Sequence, residues 1–290
     1  MMAALLACGS AGLTERPPYV PPGDSGVEGD TDSGSMPETG MVSGLAQFQL
    51  VQIACPDCLG YPSSLEVSAL AAFHLATSKS WVGWLPAEGS CVEDPAPVPA
   101  ASDYLDAGEW LSYRSGSVSL QLRQADGLYT ASGIDEADFI RNAAWILDAE
   151  GGADVPDFDV ENAFYTPESI SDLEPKEMLQ TTTRSAFAAR VDRARADFTW
   201  SPFGGAGSFA VVLDVFHPDS NAFLGEVFCL EADNGSLRVP SGLLSGYPRD
   251  ALLVIGMYRY AAGGFVRPDD GSTVETLVNF GVIGTGVLTN

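Results

Sequence analysis

Short segments in which apolar and polar residues alternate constrain the fold of this chain more than any other feature. In the run GSFAVVLDVF, Phe209, Val211 and Leu213 fall on one side of an extended strand. The run around Asn234-Gly235 is typical of two strands joined by a tight turn. Because such segments recur along the chain with turn-forming residues between them, the sequence predicts antiparallel β-sheets packed as sandwiches.

The whole chain is predicted to be mainly β, with two antiparallel sandwich-like domains after a disordered N-terminal tether. The first domain, residues 45–176, contains most of the cysteines, and the second covers residues 177–290. The boundary is placed in TPESISDLEPKEM, which is rich in turn formers and charged residues. One run, SSLEVSALAAFHLAT, fits a helix by its spacing of four and a strand by its spacing of two, so both remain open.

The segment DFTWSPFGGAGSFAVVLDVF places Trp200 before a Ser-Pro turn and an alternating strand. It resembles the opening of immunoglobulin and fibronectin type III modules. The resemblance covers residues 185–290 and implies a sandwich with Trp200 buried inside it. The chain has no Cys-Trp-Cys set in this region, so the resemblance does not extend to antibody domains.

The charge of the chain narrows the range of partners. It has 14 basic and 39 acidic residues, a net charge of −25. Binding to nucleic acid or to an anionic membrane surface requires clustered Lys and Arg. The sequence therefore predicts neither of these as a partner. No apolar run reaches the roughly 18 residues of a membrane-spanning helix.

The N-terminus Leu5-Leu6-Ala7-Cys8 resembles the lipobox of bacterial lipoproteins, with a small residue before the cysteine. The resemblance implies that residues 1–8 are a signal segment and that Cys8 carries the lipid. Gly9 follows in place of Asp, which in Gram-negative lipoproteins favours sorting to the outer membrane. The basic n-region is missing and the apolar stretch is short, so we expect the natural start to lie upstream.

Residues 9–44 contain mainly Gly, Pro, Ser, Thr and acidic residues. Such a composition buries too little apolar surface to offset the entropy of ordering, so we predict a disordered tether. As a coil, it would span about 30–35 Å.

Four further cysteines are Cys55, Cys58, Cys91 and Cys229. In an exported chain an even number predicts two disulfides, with three possible connectivities. We favour a bridge from Cys91 to one member of the CPDC motif and one from Cys229 to the other. The strand followed by Cys-x-x-Cys also resembles the start of a thioredoxin-like domain, which would make Cys55 a redox nucleophile, but alternating β and α units are missing. A zinc site would need a second cysteine pair.

Tryptophans supply the ligand-binding candidates, which are Trp81, Trp84 and Trp110. An exposed Trp on a β-sandwich can stack against a sugar ring, and the alternative is ordinary packing in the core. His74 lies among apolar residues and is expected in the core or at a strand edge, whereas His217 is expected in a solvated turn.

Together these observations predict a non-enzymatic protein of the cell envelope, anchored to the outer membrane by a lipid and exposed to the periplasm or the cell surface. It would act in binding or in surface structure, without catalytic residues, cofactor or metal, and with a glycan or an envelope protein as partner. The alternatives are a glycan-binding adhesion module that uses Trp81 and Trp84, and a thioredoxin-like redox protein that uses Cys55 and Cys58.

Overall fold

The computed structural model describes residues 42–61, 63–75, 85–95, 104–125, 127–131, 133–180, 187–203, 207–267 and 271–290. The predicted signal segment and nearly all of the predicted tether lie outside these ranges. The described chain is mainly β, as the alternating pattern predicts, and nearly all of its strands belong to one sheet of 13 strands.

The strands are β1 (Val42–Ile53), β2 (Leu65–Leu75), β3 (Ser90–Glu93), β4 (Trp110–Ser115), β5 (Val118–Ala125), β6 (Leu128–Ala131), β7 (Ala144–Ala149), β8 (Phe158–Tyr165), β9 (Ala189–Asp192), β10 (Ala196–Thr199), β11 (Ser208–Phe216), β12 (Phe223–Ala232), β13 (Ser236–Val239), β14 (Leu252–Val266) and β15 (Thr273–Thr289). The helices are short: α1 (Pro56–Leu59), α2 (Ser241–Leu244) and two 3₁₀ helices, Glu136–Asp138 and Lys176–Leu179.

The large sheet has the order β3-β12-β11-β14-β15-β1-β2-β6-β5-β4-β7-β8, and β9 also pairs with β15. The sheet is mixed, because β1 and β9 both run parallel to β15. The strand β15 is long enough to pair first with β1, over residues 273–283, and then with β9, over residues 286–289. Strands β10 and β13 form a separate two-stranded sheet.

This pairing differs from the two separate antiparallel sandwiches that the sequence predicts. Strand β1 lies before the predicted boundary at residues 176 and 177, and its neighbour β15 lies after it. One cluster of buried apolar side chains also includes residues from both halves of the chain. The described strands therefore share one core, all of them except β10 and β13 share one sheet, and two domains are not clearly separated.

An aromatic cluster packs on one face of the sheet, which we call the core face. The ring of Phe48 lies 4.7 Å from that of Phe139 and 4.9 Å from that of Trp145. The ring of Phe164 stacks on Trp145 at 6.1 Å. Because Phe48 comes from β1 and the others follow much later in sequence, these contacts fold the sheet back onto its own first strand.

Two local expectations are settled by burial. The ambiguous run after Ser64 forms β2, because alternate residues such as Val67, Ala69 and Phe73 all face the core and the strand pairs with β1 along its length. Trp200 is buried at 4% exposure and its ring stacks on Phe209 at 3.6 Å.

Candidate functional site

The face of the sheet opposite the core face is also buried over strands β1, β15, β14, β11 and β12. We call it the tyrosine face, because Tyr258 and Tyr260 of β14 both lie on it. Residues two apart on a strand share a face, so the sequence Tyr258-Arg259-Tyr260 places both rings on one side and the arginine on the other. Tyr258 is 6% exposed and Tyr260 is 1% exposed.

A row of polar side chains crosses the tyrosine face at one level of four adjacent strands. The register pairs Ser68 with Gln49, Gln49 with Asn279 and Asn279 with Tyr260. We call Gln47, Gln49, Ser68 and Asn279 the amide row. The row becomes more accessible towards β2, where Ser68 is half-buried, so its open end lies on that strand.

Hydrogen bonds within the amide row leave one acceptor unused. Gln49 donates to the hydroxyl of Ser68 at 2.9 Å and accepts from Gln47 at 3.2 Å. Asn279 donates weakly to Gln49, at 3.5 Å. The Oδ1 atom of Asn279 is buried, and within the described part of the chain no donor lies within reach of it. Because a buried polar atom without a partner costs free energy, this atom is suited to accept a hydrogen bond from a ligand or a water molecule.

The ring of Tyr258 lies flat against the sheet because its neighbours have no side chains. A Cβ atom at Gly281 or at Gly256 would collide with that ring, so only glycine fits at either position. Burial raises the pKa of Tyr258 and of Tyr260 above the ordinary value, and the charge of Glu226 raises both further. Both hydroxyls therefore stay protonated at neutral pH and act as neutral hydrogen-bonding groups.

Two carboxylates complete the tyrosine face. Asp214 and Glu226 lie directly opposite each other on β11 and β12, and they are 5% and 7% exposed. The backbone N–H of Glu226 donates to Asp94 at 2.9 Å. The site thus combines amides, hydroxyls, carboxylates and aromatic rings, the groups with which proteins bind polar ligands. Across the described residues, no set of three or more His, Cys, Asp or Glu side chains is arranged to hold a metal ion.

The cysteines are paired differently from the connectivity that we favoured. Cys91 forms a disulfide with Cys229, with an S–S distance of 2.05 Å, and not with the CPDC motif. The reason is register: β3 pairs with β12 so that the two cysteines face each other across the strands. Cys55 is also in a disulfide and is only 1% exposed, whereas the side chain of Cys58 lies outside the described part.

The tryptophan candidates are not brought to the tyrosine face. Trp81 and Trp84 fall outside the described residues, as does Cys8. Trp110 is half-buried on β4, six strands from β14 in the sheet order, and the guanidinium of Arg123 lies 5.5 Å from the centre of its ring. One face of this ring is therefore already in contact with a cation.

The two histidines lie where the sequence places them. His74 is 6% exposed at the end of β2, and its Nδ1 is 2.6 Å from the carbonyl of Leu75. His217 follows β11 in a turn, where its Nδ1 accepts from the backbone N–H of Asp219 at 3.2 Å.

Sequence reasoning missed the amide row, although one signal for it exists. In the first strand, GLAQFQLVQI, Gln47 and Gln49 occupy alternate positions between apolar residues. Two polar residues on one face of a strand that is buried on both sides mark a hydrogen-bonded row. Their partner Asn279 is not foreseeable, because it belongs to a parallel strand from the other end of the chain.

No protein-family model matches the chain, and no curated protein sequence is significantly similar to it. None of the described helices has the length and apolar character needed to cross a membrane.

Proposed function

We propose that the chain is a non-enzymatic binding or structural protein of the bacterial cell envelope, held at the outer membrane by a lipid on Cys8. The predicted tether of residues 9–44 separates the β-sheet body from the bilayer up to Val42, where β1 begins. Partners are a glycan or another envelope protein.

The Cys91–Cys229 disulfide is the observation that supports this proposal most directly. Disulfides persist in the periplasm and at the cell surface, and they are rare in the reducing cytosol. Cys55, buried and also oxidised, supports the same compartment and argues for a structural role. A redox-active cysteine would need an accessible thiolate at the N-terminus of a helix, whereas Cys55 is buried and the helix that follows it, α1, has only four residues.

We predict that cells labelled with radioactive palmitate incorporate the label into this protein, and that Cys8→Ser abolishes the incorporation. The Cys8→Ser variant should also move from the outer-membrane fraction to the soluble periplasmic fraction, because the lipid is the only proposed attachment to the membrane. The measurement is fluorography of the immunoprecipitated protein after sucrose-gradient fractionation.

Cys91→Ser is the matched control, because it also removes one cysteine and should keep the label. An unlabelled wild-type protein, or equal labelling of the Cys8→Ser variant, would contradict the anchor.

A second candidate function is glycan binding at the tyrosine face, and the buried acceptor Asn279 Oδ1 favours it. Sugar hydroxyls donate and accept hydrogen bonds in pairs, which amide side chains match well. On this hypothesis the residues of the amide row bind the glycan, which enters from the accessible end of the row at Ser68.

We predict that a glycan array probed with the full chain yields a ligand whose affinity falls about 2- to 10-fold in Ser68→Ala, the loss of one neutral hydrogen bond. Asn279→Ala should weaken binding at least as much. Gln121→Ala is the control, because Gln121 is exposed on β5, away from the row. Titration calorimetry measures the effect. The hypothesis is wrong if no glycan binds or if Ser68→Ala leaves the affinity unchanged.

A further inference from the structure

The link between β12 and β13 contains a pair of residues that can react with each other. Residues 233–235 connect β12, in the large sheet, to β13, in the two-stranded sheet. Asn234 is exposed, and it is the one asparagine of the sequence that precedes a glycine. The backbone nitrogen that follows an asparagine can attack the carbonyl carbon of its side chain, Cγ, and glycine has no side chain to hinder that approach. The link is therefore a candidate site of covalent modification.

The side chain of Asn234 is held against the backbone that would attack it. Its Oδ1 accepts a hydrogen bond from the backbone N–H of Ser236, at 3.1 Å. An asparagine bonded to the backbone two residues further on forms an Asx turn. The ring closed by this bond includes both Cγ of Asn234 and the nitrogen of Gly235, so the turn keeps the two reacting atoms near each other.

The groups that the reaction changes are free to change. Within the described part of the chain, the N–H of Gly235 makes no hydrogen bond, so the loss of its proton breaks no contact. The N–H of Ser236 points at Oδ1, the atom on which negative charge develops when Cγ is attacked, and it stabilises that charge. The amide nitrogen Nδ2 belongs to an exposed side chain, so it can leave into solvent.

We propose that Asn234 deamidates spontaneously in the folded protein. The nitrogen of Gly235 gives up its proton and bonds to Cγ, and the bond from Cγ to Nδ2 breaks, which releases ammonia and leaves a succinimide ring. One water molecule then opens the ring. Cleavage between the nitrogen and Cγ gives aspartate, and cleavage between the nitrogen and the main-chain carbonyl carbon gives isoaspartate, whose backbone runs through Cβ and Cγ. In sum, asparagine and water become an acid and ammonia, without oxidant or cofactor.

Isoaspartate at this position would disturb the attachment of Trp200. The carbonyl oxygen of Gly235 accepts from the backbone N–H of Trp200 at 3.1 Å, and the carboxylate of Asp233 accepts from its indole at 2.6 Å. Isoaspartate adds one atom to the main chain between these two acceptors, so they cannot both keep their positions on one tryptophan. The modification therefore adds a negative charge and weakens the hold on Trp200. This inference is independent of the lipid on Cys8 and of a glycan ligand.

The test incubates the full chain for several weeks at neutral and at mildly alkaline pH and maps its peptides by mass spectrometry. We expect Asn234 to convert to a mixture of aspartate and isoaspartate, faster at the higher pH because the attacking nitrogen must lose its proton. Asn142 and Asn162 are matched controls within the same molecule, since both are exposed but precede alanine. They should convert at least about 10-fold more slowly, because the alanine side chain hinders the attack. Asn234→Gln should prevent the conversion, since glutamine would have to close a larger ring.

A second measurement separates the change of backbone from the change of charge. Freshly purified Asn234→Asp carries the added charge on a normal backbone. The isoaspartate form, isolated by chromatography, should unfold at a lower urea concentration than this variant, as followed by tryptophan fluorescence.

The proposal is overturned if Asn234 stays intact in the folded chain, and its conversion in urea alone would show that the fold protects it. Equal conversion of Asn142 or Asn162 would also overturn it, because the turn would then contribute nothing. Equal unfolding of the isoaspartate form and Asn234→Asp would contradict the effect on Trp200.

Discussion

Replacing Arg259 by methionine is expected to lower the free energy of unfolding by about 3–5 kcal/mol. The side chain is 3% exposed, and its Nε donates to Asp233, itself 2% exposed, at 2.7 Å. Its other nitrogens donate to the carbonyl oxygens of Ser169 and Ser201, each at 2.6 Å, and of Glu168 at 3.3 Å. Methionine fills a similar volume but leaves a buried carboxylate and three carbonyl groups without their donor.

The same network connects the core to the tyrosine face. Arg259 lies between Tyr258 and Tyr260 in sequence and points to the opposite side of β14. Asp233 also accepts from the indole of Trp200 at 2.6 Å. Loss of Arg259 should therefore loosen the packing of Trp200 on the core face as well as the strand that carries both tyrosines.

Arg195→Met provides the matched control for this prediction. Arg195 also pairs with an aspartate at 2.7 Å, Asp197, but its side chain is 72% exposed. Solvent screens such a pair, so the expected loss is about 1 kcal/mol or less. Urea unfolding followed by tryptophan fluorescence measures both variants. Adding Asp233→Asn to Arg259→Met should recover part of the loss, since it removes the unpaired charge. Equal effects of the two arginine variants would contradict the prediction.

The strands of the C-terminal half are the part of the fold that the sequence predicts well. Alternation identifies β11. The strand pair predicted around Asn234-Gly235 is wrong, because β12 pairs with β3 and β11 whereas β13 pairs with β10 in the separate sheet. Alternation fixes which side chains share a face, but it carries no information on which strand lies next to which. The parallel pairing brings together β1 and β15, the first and last described strands, and composition carries no information on this pairing. This is why a boundary drawn from composition predicts two separate sheets.

The disulfide also depends on which strands are neighbours, which the sequence does not reveal. Four cysteines allow three connectivities, and because three of them fall in the predicted first domain, the sequence favours one bridge within that domain. The observed partner of Cys91 is 138 residues away, and it is selected by the register of β3 on β12. The amide row has the same origin, because Gln49 and Asn279 meet only through the parallel pairing.

Removing this disulfide with Cys91→Ala and Cys229→Ala together is expected to lower the free energy of unfolding by about 2–5 kcal/mol. The bridge closes a loop with a sequence separation of 138 residues, so its loss adds much freedom to the unfolded chain. In the folded state β3 keeps only its four-residue pairing with β12 and a few contacts such as the hydrogen bond from Tyr247 to Glu93, at 3.0 Å. Urea unfolding without reductant measures the difference.

The location of the effect separates this prediction from a general loss of packing. Without the bridge, the amides of residues 90–93 should exchange much faster, because β3 can then detach from the edge of the sheet without unfolding of the rest. The amides of β11 and β14 should change only in proportion to global stability. The control is Val92→Ala, which trims a half-buried side chain of the same strand but keeps the bridge and should leave β3 protected. If the double variant and Val92→Ala give the same exchange in β3, strand pairing and not the disulfide holds this edge.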